Sequence, residues 1–209
     1  MPPARAASPG VVGMSGDHGS APVAARVRHV EALLEQRGLV DAKELDRALE
    51  AFVAGASPAQ GATVVARAWV DEGFRQRLLD DANAALPEVG LSMGGGIQEQ
   101  RLRVVENTAT QHHVVVCTLC SCYPIALLGP SPTWYKSEAY RSRVVRDPRG
   151  VLAELGFTPD PGLELTVWDA SAETRYLVLP RRPEGTDGWD EQRLAGLVTR
   201  NGMIGVAAV

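Results

Sequence analysis

Cysteine is scarce in this 209-residue chain, and all of it sits in one place: Cys117, Cys120 and Cys122. A disulfide framework spreads its cysteines along the chain, so three thiols crowded together point instead to metal or redox chemistry. Lysine is nearly missing as well, with only Lys43 and Lys136 among 21 basic residues. That bias reads as genome composition rather than function. A positive surplus is absent too, since the formal net charge is -4. A general nucleic-acid binder needs a basic patch that releases counterions, so that class is set aside. No apolar run reaches the roughly 20 residues that span a bilayer. The opening stretch, "MPPARAASPGVVGMSGDHGSAPVAA", has no unbroken apolar segment of the kind a secretion signal carries, because Gly, Pro and Ser interrupt it. Residues 1–24 are therefore expected to be a disordered lead-in, and the compartment is expected to be the reducing cytoplasm.

What is present divides the chain by period. "ARVRHVEALLEQRGLV" puts Val27, Val30, Leu33 and Leu34 on one helical face, with Gly38 placed to close the helix. Asp41 is placed to cap "DAKELDRALEAFVAGA", with Glu44 three positions on. "SPAQ" breaks the pattern, and "GATVVARAWV" and "DEGFRQRLLDDANAALPEVG" read as two further helices before a glycine-rich loop, "LSMGGGIQEQ". The second half holds short β-branched runs, "RLRVVE", "HHVVVC", "ELTVWDA" and "RYLVLP", which read as strands. Between them come a proline-rich loop, a helix from about Glu138 and a restart after Pro148. "TDGWDEQRLAGLVTR" reads as one last helix starting near Asp187 or Asp190. The fold class is α+β: a helical arm over residues 25–90, then a mixed α/β layered core over residues 91–209 carrying a cysteine-claw metal loop. Pattern alone leaves open whether the arm packs on its own core or on a partner.

Cys117 and Cys120 form a C-x-x-C, and Cys120 and Cys122 a C-x-C. A turn at Thr118–Leu119 would bring the three sulfurs to one side. Structural zinc wants four side-chain ligands, usually as two separated pairs, and the second pair is missing. His112 or His113 would have to supply the fourth ligand. Both lie on the strand leading into Cys117, one expected to face the core and one the surface. The alternative is a ligand set completed by the backbone nitrogens of Ser121 and Cys122. A deprotonated amide needs a strongly Lewis-acidic ion, and three thiolates with two amidates suit trivalent iron or cobalt, with one position left for substrate.

The stretch "VCTLCSCYP" resembles the metal-binding motif of the nitrile hydratase α subunit, in its cobalt-type form; the iron-type form usually has Ser where this chain has Thr118. "VVARAW", "VVENT", "TWYKSEAYRSRVVRDPRGVLAELG", "VWDASAETRYLVLPRRPEGTDGW" and "LVTRNGMIGVA" resemble the family in the same order, over roughly residues 25–207. The resemblance implies one cobalt(III) per chain, rather than iron(III), held by the sulfurs of Cys117, Cys120 and Cys122 and by the nitrogens of Ser121 and Cys122. It implies Cys120 oxidised to a sulfinic acid and Cys122 to a sulfenic acid, so that Cys122 is both ligand and catalytic residue. It places Gln98 where the family has a glutamine near the active-site water. Asp169, Glu173 and Arg175 fall where the family has acidic and basic residues supporting the ligands. A salt-bridged strand surface is the plainer reading of those three. The activity implied is addition of water to a nitrile to give an amide, by the sulfenate oxygen or by a water it activates. The partners implied are a β subunit, single or split into two chains, embraced by the helical arm, together with a small-molecule nitrile and a candidate metallochaperone.

The chain departs from the family pattern after the claw. The family usually continues "YPWPVLGLPP"; this chain has "YPIALLGPSP". Ile125 stands where an aromatic normally borders the substrate pocket, with Ala126 for the following Pro. The smaller wall suggests a bulky nitrile such as the nucleoside toyocamycin, substrate of a specialised branch. Repacking by neighbours with no change in substrate is the alternative. Two other functions are compatible with the motif: the metal subunit of a thiocyanate hydrolase, which shares the claw, and a non-catalytic zinc-binding module with unmodified thiols. Trp69, Trp134, Trp168 and Trp189 are read as core or interface anchors. Arg141, Arg143 and Arg146 are read as a solvated helix face or as intersubunit ion-pair formers.

Overall fold

The computed structural model describes residues 21–93 and 100–209. Gln98 and the lead-in over residues 1–20 lie outside the described residues. Two helices open the chain, α1 (Ala21–Gln36) and α2 (Ala42–Gly55). The first begins at Ala21, inside the segment expected to be a lead-in, because Ala21, Ala24 and Ala25 are strong helix formers and Pro22 fits a first turn. Asp41 caps α2 by accepting from the Glu44 amide at 3.0 Å. Neither helix buries a single residue. Val23, Val27, Val30 and Leu33 on α1, and Leu45, Leu49, Phe52 and Val53 on α2, stay exposed at helical spacing.

The core starts at α3 (Pro58–Val70). "SPAQ" breaks the helical pattern, as expected, and also starts the next helix: α2 ends at Gly55, Ser57 accepts from the Ala59 amide, and Pro58 occupies the first turn, where its missing N–H costs nothing. Then come α4 (Glu72–Asp80) and the short α5 (Ala82–Ala85). The second of the two helices read from the sequence here is split at Asp81, whose carboxylate accepts from the Ala84 amide and so restarts the chain. Two strands follow, β1 (Arg101–Glu106) and β2 (Gln111–Val116). The proline-rich stretch holds two one-turn helices, α6 (Ile125–Leu128) and α7 (Thr133–Lys136), before α8 (Glu138–Arg143) and α9 (Pro148–Glu154). The strands β3 (Glu164–Asp169) and β4 (Thr174–Leu179) precede α10 (Glu191–Ala195) and α11 (Arg200–Ile204). The single last helix expected from sequence is thus two, because Asp190 and Thr199 each cap a separate start.

The described strands form two parallel pairs, β1 with β4 and β2 with β3. Val64, Val65, Phe74, Leu78, Val114, Val116, Leu177, Leu179, Met203 and Ile204 are fully buried around them. Each such side chain contributes about 1.5–3 kcal/mol through burial. No helix among the described residues is long and apolar enough to cross a membrane.

His112 and His113 are both buried, against the expected split between core and surface. The strand is covered on both faces: His112 donates from Nε2 to the Gly205 carbonyl at 2.8 Å, and its ring packs at a tilt against Phe157, 5.1 Å between centroids. His113 accepts at Nδ1 from the Trp168 indole at 3.1 Å. The Nδ1 of His112 faces the Asn107 amide nitrogen at 3.1 Å, so each ring meets a donor at Nδ1. Burial, the leading cause, holds both imidazoles below their ordinary pKa and therefore neutral. The unfolded chain binds more protons in that window, so stability rises with pH and is lost as pH falls below about 6.5. Urea unfolding should show a lower free energy at pH 5.5 than at pH 7.5. Paired carboxylates such as Glu88 and Glu154 are held low and weaken only at more acid pH. Equal stability at the two pH values would contradict neutral histidines.

Candidate metal centre

Parallel pairing of β2 with β3 builds the site. Val116, the last residue of β2, lies opposite Asp169, the last of β3, and the Ala170 amide donates to the Val116 carbonyl at 2.7 Å. Cys117 therefore leaves the sheet beside the Asp169 carboxylate. Asp169 accepts from the Thr118 amide at 2.9 Å and from its hydroxyl at 2.6 Å, which turns the chain sharply at the position expected. The Cys120 amide then donates to the Cys117 sulfur at 3.4 Å.

The turn gathers the thiols. Sulfur separations are 3.4 Å for Cys117–Cys120 and 3.2 Å for Cys120–Cys122, and all three lie within 4.8 Å of one another. Cys117 is buried, Cys122 half-buried and Cys120 exposed, so the cluster opens to solvent on one side. Hydrogen bonds from its two neighbouring thiols, Cys122 first, pull the Cys120 thiol below its ordinary pKa, and the amides of Ser121 and Cys122 act in the same direction. Cys122 shifts the other way, chiefly through burial. Arg175 opposes that rise with its positive charge. It is only 8% exposed, donates to the Ser171 carbonyl, and keeps a buried Nε without a protein partner.

Three soft sulfurs and two amide nitrogens on one short loop fit a thiophilic, strongly Lewis-acidic ion. They do not fit tetrahedral structural zinc, which lacks a fourth side chain here. Among the described residues the cluster contains no imidazole or carboxylate, and His112 is engaged at both ring nitrogens.

The remaining residues singled out from sequence scatter around this cluster. Ile125, 36% exposed, opens α6 just past the claw. Glu173 is exposed and accepts from the Ser171 hydroxyl at 2.9 Å. Trp69, Trp134 and Trp168 pack against the core, and Trp189 lies 3.5 Å from the Arg193 guanidinium. Arg143 pairs with Glu154. Arg141 does not belong to a solvated face: its guanidinium donates to the Thr118 carbonyl at 3.2 Å. Tyr135 donates to the Cys122 carbonyl at 2.9 Å. Both contacts were illegible in sequence, since nothing in the spacing of residues 135–141 marks them as neighbours of the claw.

The family model described as nitrile hydratase, alpha chain, matches residues 21–207. This chain belongs to the nitrile hydratase α-chain family. It is 54% identical to the low-molecular weight cobalt-containing nitrile hydratase subunit alpha of Rhodococcus rhodochrous, over 88% of each chain. It is 42% identical to the thiocyanate hydrolase subunit gamma of Thiobacillus thioparus, over 85% of this chain and 76% of that one. A chain in the structure of an iron-type nitrile hydratase double mutant from Comamonas testosteroni Ni1 superposes with a TM-score of 0.82, at 38% identity over 91% of both chains. The α+β architecture with its cysteine loop is thus the family's fold.

Proposed function

We propose that this chain is the metal-bearing α subunit of a cobalt nitrile hydratase, converting a nitrile to its amide. The observation that carries the reading is the convergence of three sulfurs within 4.8 Å of one another on one short loop, within a chain of this family. Cys117, Cys120 and Cys122 would hold cobalt(III) through sulfur, and Ser121 and Cys122 through nitrogen. Bound there, the ion supplies Lewis acidity that makes a nitrile carbon electrophilic. Cys120 would carry two added oxygens and Cys122 one. The Cys122 sulfenate oxygen, or a water hydrogen-bonded to it, is the nucleophile. Gln98 would orient that water. Arg175 would balance negative charge on Cys122, Asp169 would fix the claw through Thr118, and Glu173 would stiffen the loop that leads to Arg175.

The exposed apolar stripes of α1 and α2 are the proposed grip on a β subunit, one chain or two, which completes the pocket. A metallochaperone would load the claw, in the cytoplasm. Ile125 would widen the pocket for a bulky, nucleoside-type nitrile. Ile125→Trp should shift kcat/KM towards small nitriles by about tenfold, the scale of 1–3 kcal/mol for filling an apolar pocket. An unchanged preference would remove Ile125 from the pocket.

The test is co-expression with the β subunit, then metal analysis, intact mass and product assay. About one cobalt per chain, about three added oxygens and amide from a nitrile are the expected results. Zinc with unmodified thiols and no amide would overturn the reading. Faster turnover of thiocyanate than of any nitrile would favour the thiocyanate hydrolase reading, which the likeness to the Thiobacillus thioparus subunit keeps in view.

A further inference from the structure

We infer that the α7–α8 segment is a brace: Tyr135, Tyr140 and Arg141 hold the claw in its metal-ready shape before any metal arrives. The three side chains come from one stretch of seven residues and donate to three main-chain carbonyls spread across the claw segment. Tyr140 donates to Val115 at 2.7 Å, before the first cysteine. Arg141 donates to Thr118 at 3.2 Å, inside the turn. Tyr135 donates to Cys122 at 2.9 Å, on the last cysteine.

The brace is itself rigid. Tyr135 is wholly buried and Tyr140 nearly so. Tyr135 packs edge-on against Tyr123 at 5.1 Å, and Trp134 packs edge-on against Tyr140 at 4.9 Å. Ser137 joins the two short helices, accepting from the Tyr140 amide at 3.2 Å while donating to the Trp134 carbonyl at 2.7 Å. A phenol carries its proton at neutral pH, so Tyr135 and Tyr140 are both donors there.

A claw needs such support. Three sulfurs must be kept within 4.8 Å of one another, and the loop that carries them is open to solvent at Leu119, Cys120 and Ser121. Ordering a free loop on binding costs conformational entropy at every residue fixed. Donors already in place shift that cost to folding, where the core supplies it, and leave the metal to meet a formed site. Two of the three donors are neutral, so they fix the loop without adding charge to it. The inference rests on the claw being the metal site.

The experiment uses the full chain, reduced and metal-free, as wild type, Tyr135→Phe, Tyr140→Phe and Arg141→Gln. Cobalt(II) is titrated without oxygen and followed by its sulfur-to-metal charge-transfer absorption, and the melting temperature of each metal-free form is recorded. Affinity is expected to fall about 10–100-fold in each variant, the usual loss when a group supporting a ligand is removed. Melting temperatures should stay within a few degrees of wild type. Arg143→Ala, which loses only the Glu154 ion pair, should bind as wild type does. Arg141 is half-exposed, so its variant carries the test should a buried tyrosine variant fail to fold. Lower melting temperatures with unchanged affinity would mean a purely structural role and would overturn the brace. A wild-type chain that gives no charge-transfer band would overturn the metal reading beneath it, a separate and distinguishable failure.

Discussion

Changing Cys117 to serine should abolish stoichiometric cobalt and lower amide formation by at least about a thousandfold. Lewis-acid stabilisation of a transition state is worth several kcal/mol, and each 1.4 kcal/mol is tenfold in rate. Cys117 is the right target because it is buried at the end of β2 and receives the Cys120 amide. A serine hydroxyl is hard and stays protonated, so it does not bind a thiophilic ion as a thiolate does. The fold should survive, since the change in volume is small. Leu119→Ala is the internal control. Leu119 sits inside the same turn but is 88% exposed, so the isolated chain should keep its metal when it is trimmed. Metal retained in Cys117→Ser, or lost equally in Leu119→Ala, would mean that the sulfur cluster does not hold the ion.

The second large effect lies on the far side of β2. Gly205→Ala should cost about 2–5 kcal/mol of stability. Gly205 has φ +86, and a Cβ there would lie 1.9 Å from the His113 carbonyl oxygen, a backbone atom that cannot swing aside. The left-handed backbone costs an L-residue about 1–2 kcal/mol, and overpacking typically adds 1–3 kcal/mol. Relief would push α11 off β2 and strain the hydrogen bond from His112 to the Gly205 carbonyl. For a chain of this size the melting temperature should drop by about 5–15 °C. Gly156→Ala separates the two terms: it has φ +88 but open space around the added carbon, so only the backbone cost of about 1–2 kcal/mol applies. Equal losses at the two glycines would show that the close approach of α11 to β2 contributes nothing.

Stiff structure on both sides of the claw explains why these two predictions belong together. β2 is pinned by Gly205 and α11 on one side, and the loop it feeds is held by Asp169 and by α7–α8 on the other. Loosening β2 should therefore also weaken metal binding, which the cobalt(II) titration measures on the same Gly205→Ala chain.

The sequence alone carried the strands, the caps and the claw. Alternation and β-branching marked β1 to β4, and Asp41 and Asp190 sit where cap chemistry puts helix starts. The C-x-x-C-x-C spacing placed three thiols within reach of one ion, because residues so close in sequence have little freedom to separate. Where local signals competed, the reading failed: Asp81 and Thr199 each cut a periodic helical run that apolar spacing alone had joined. The buried state of His113 came from Trp168, 55 residues away, and no local pattern reports a contact of that range. The same holds for Arg141, which looks like one more surface arginine until α8 folds it against Thr118. The sequence determined which atoms can bind metal, since ligand chemistry is local. Only the tertiary structure decided what holds them in place, because hydrogen bonds donated by Tyr135, Tyr140 and Arg141, and accepted by Asp169, join segments that the chain keeps apart until it folds.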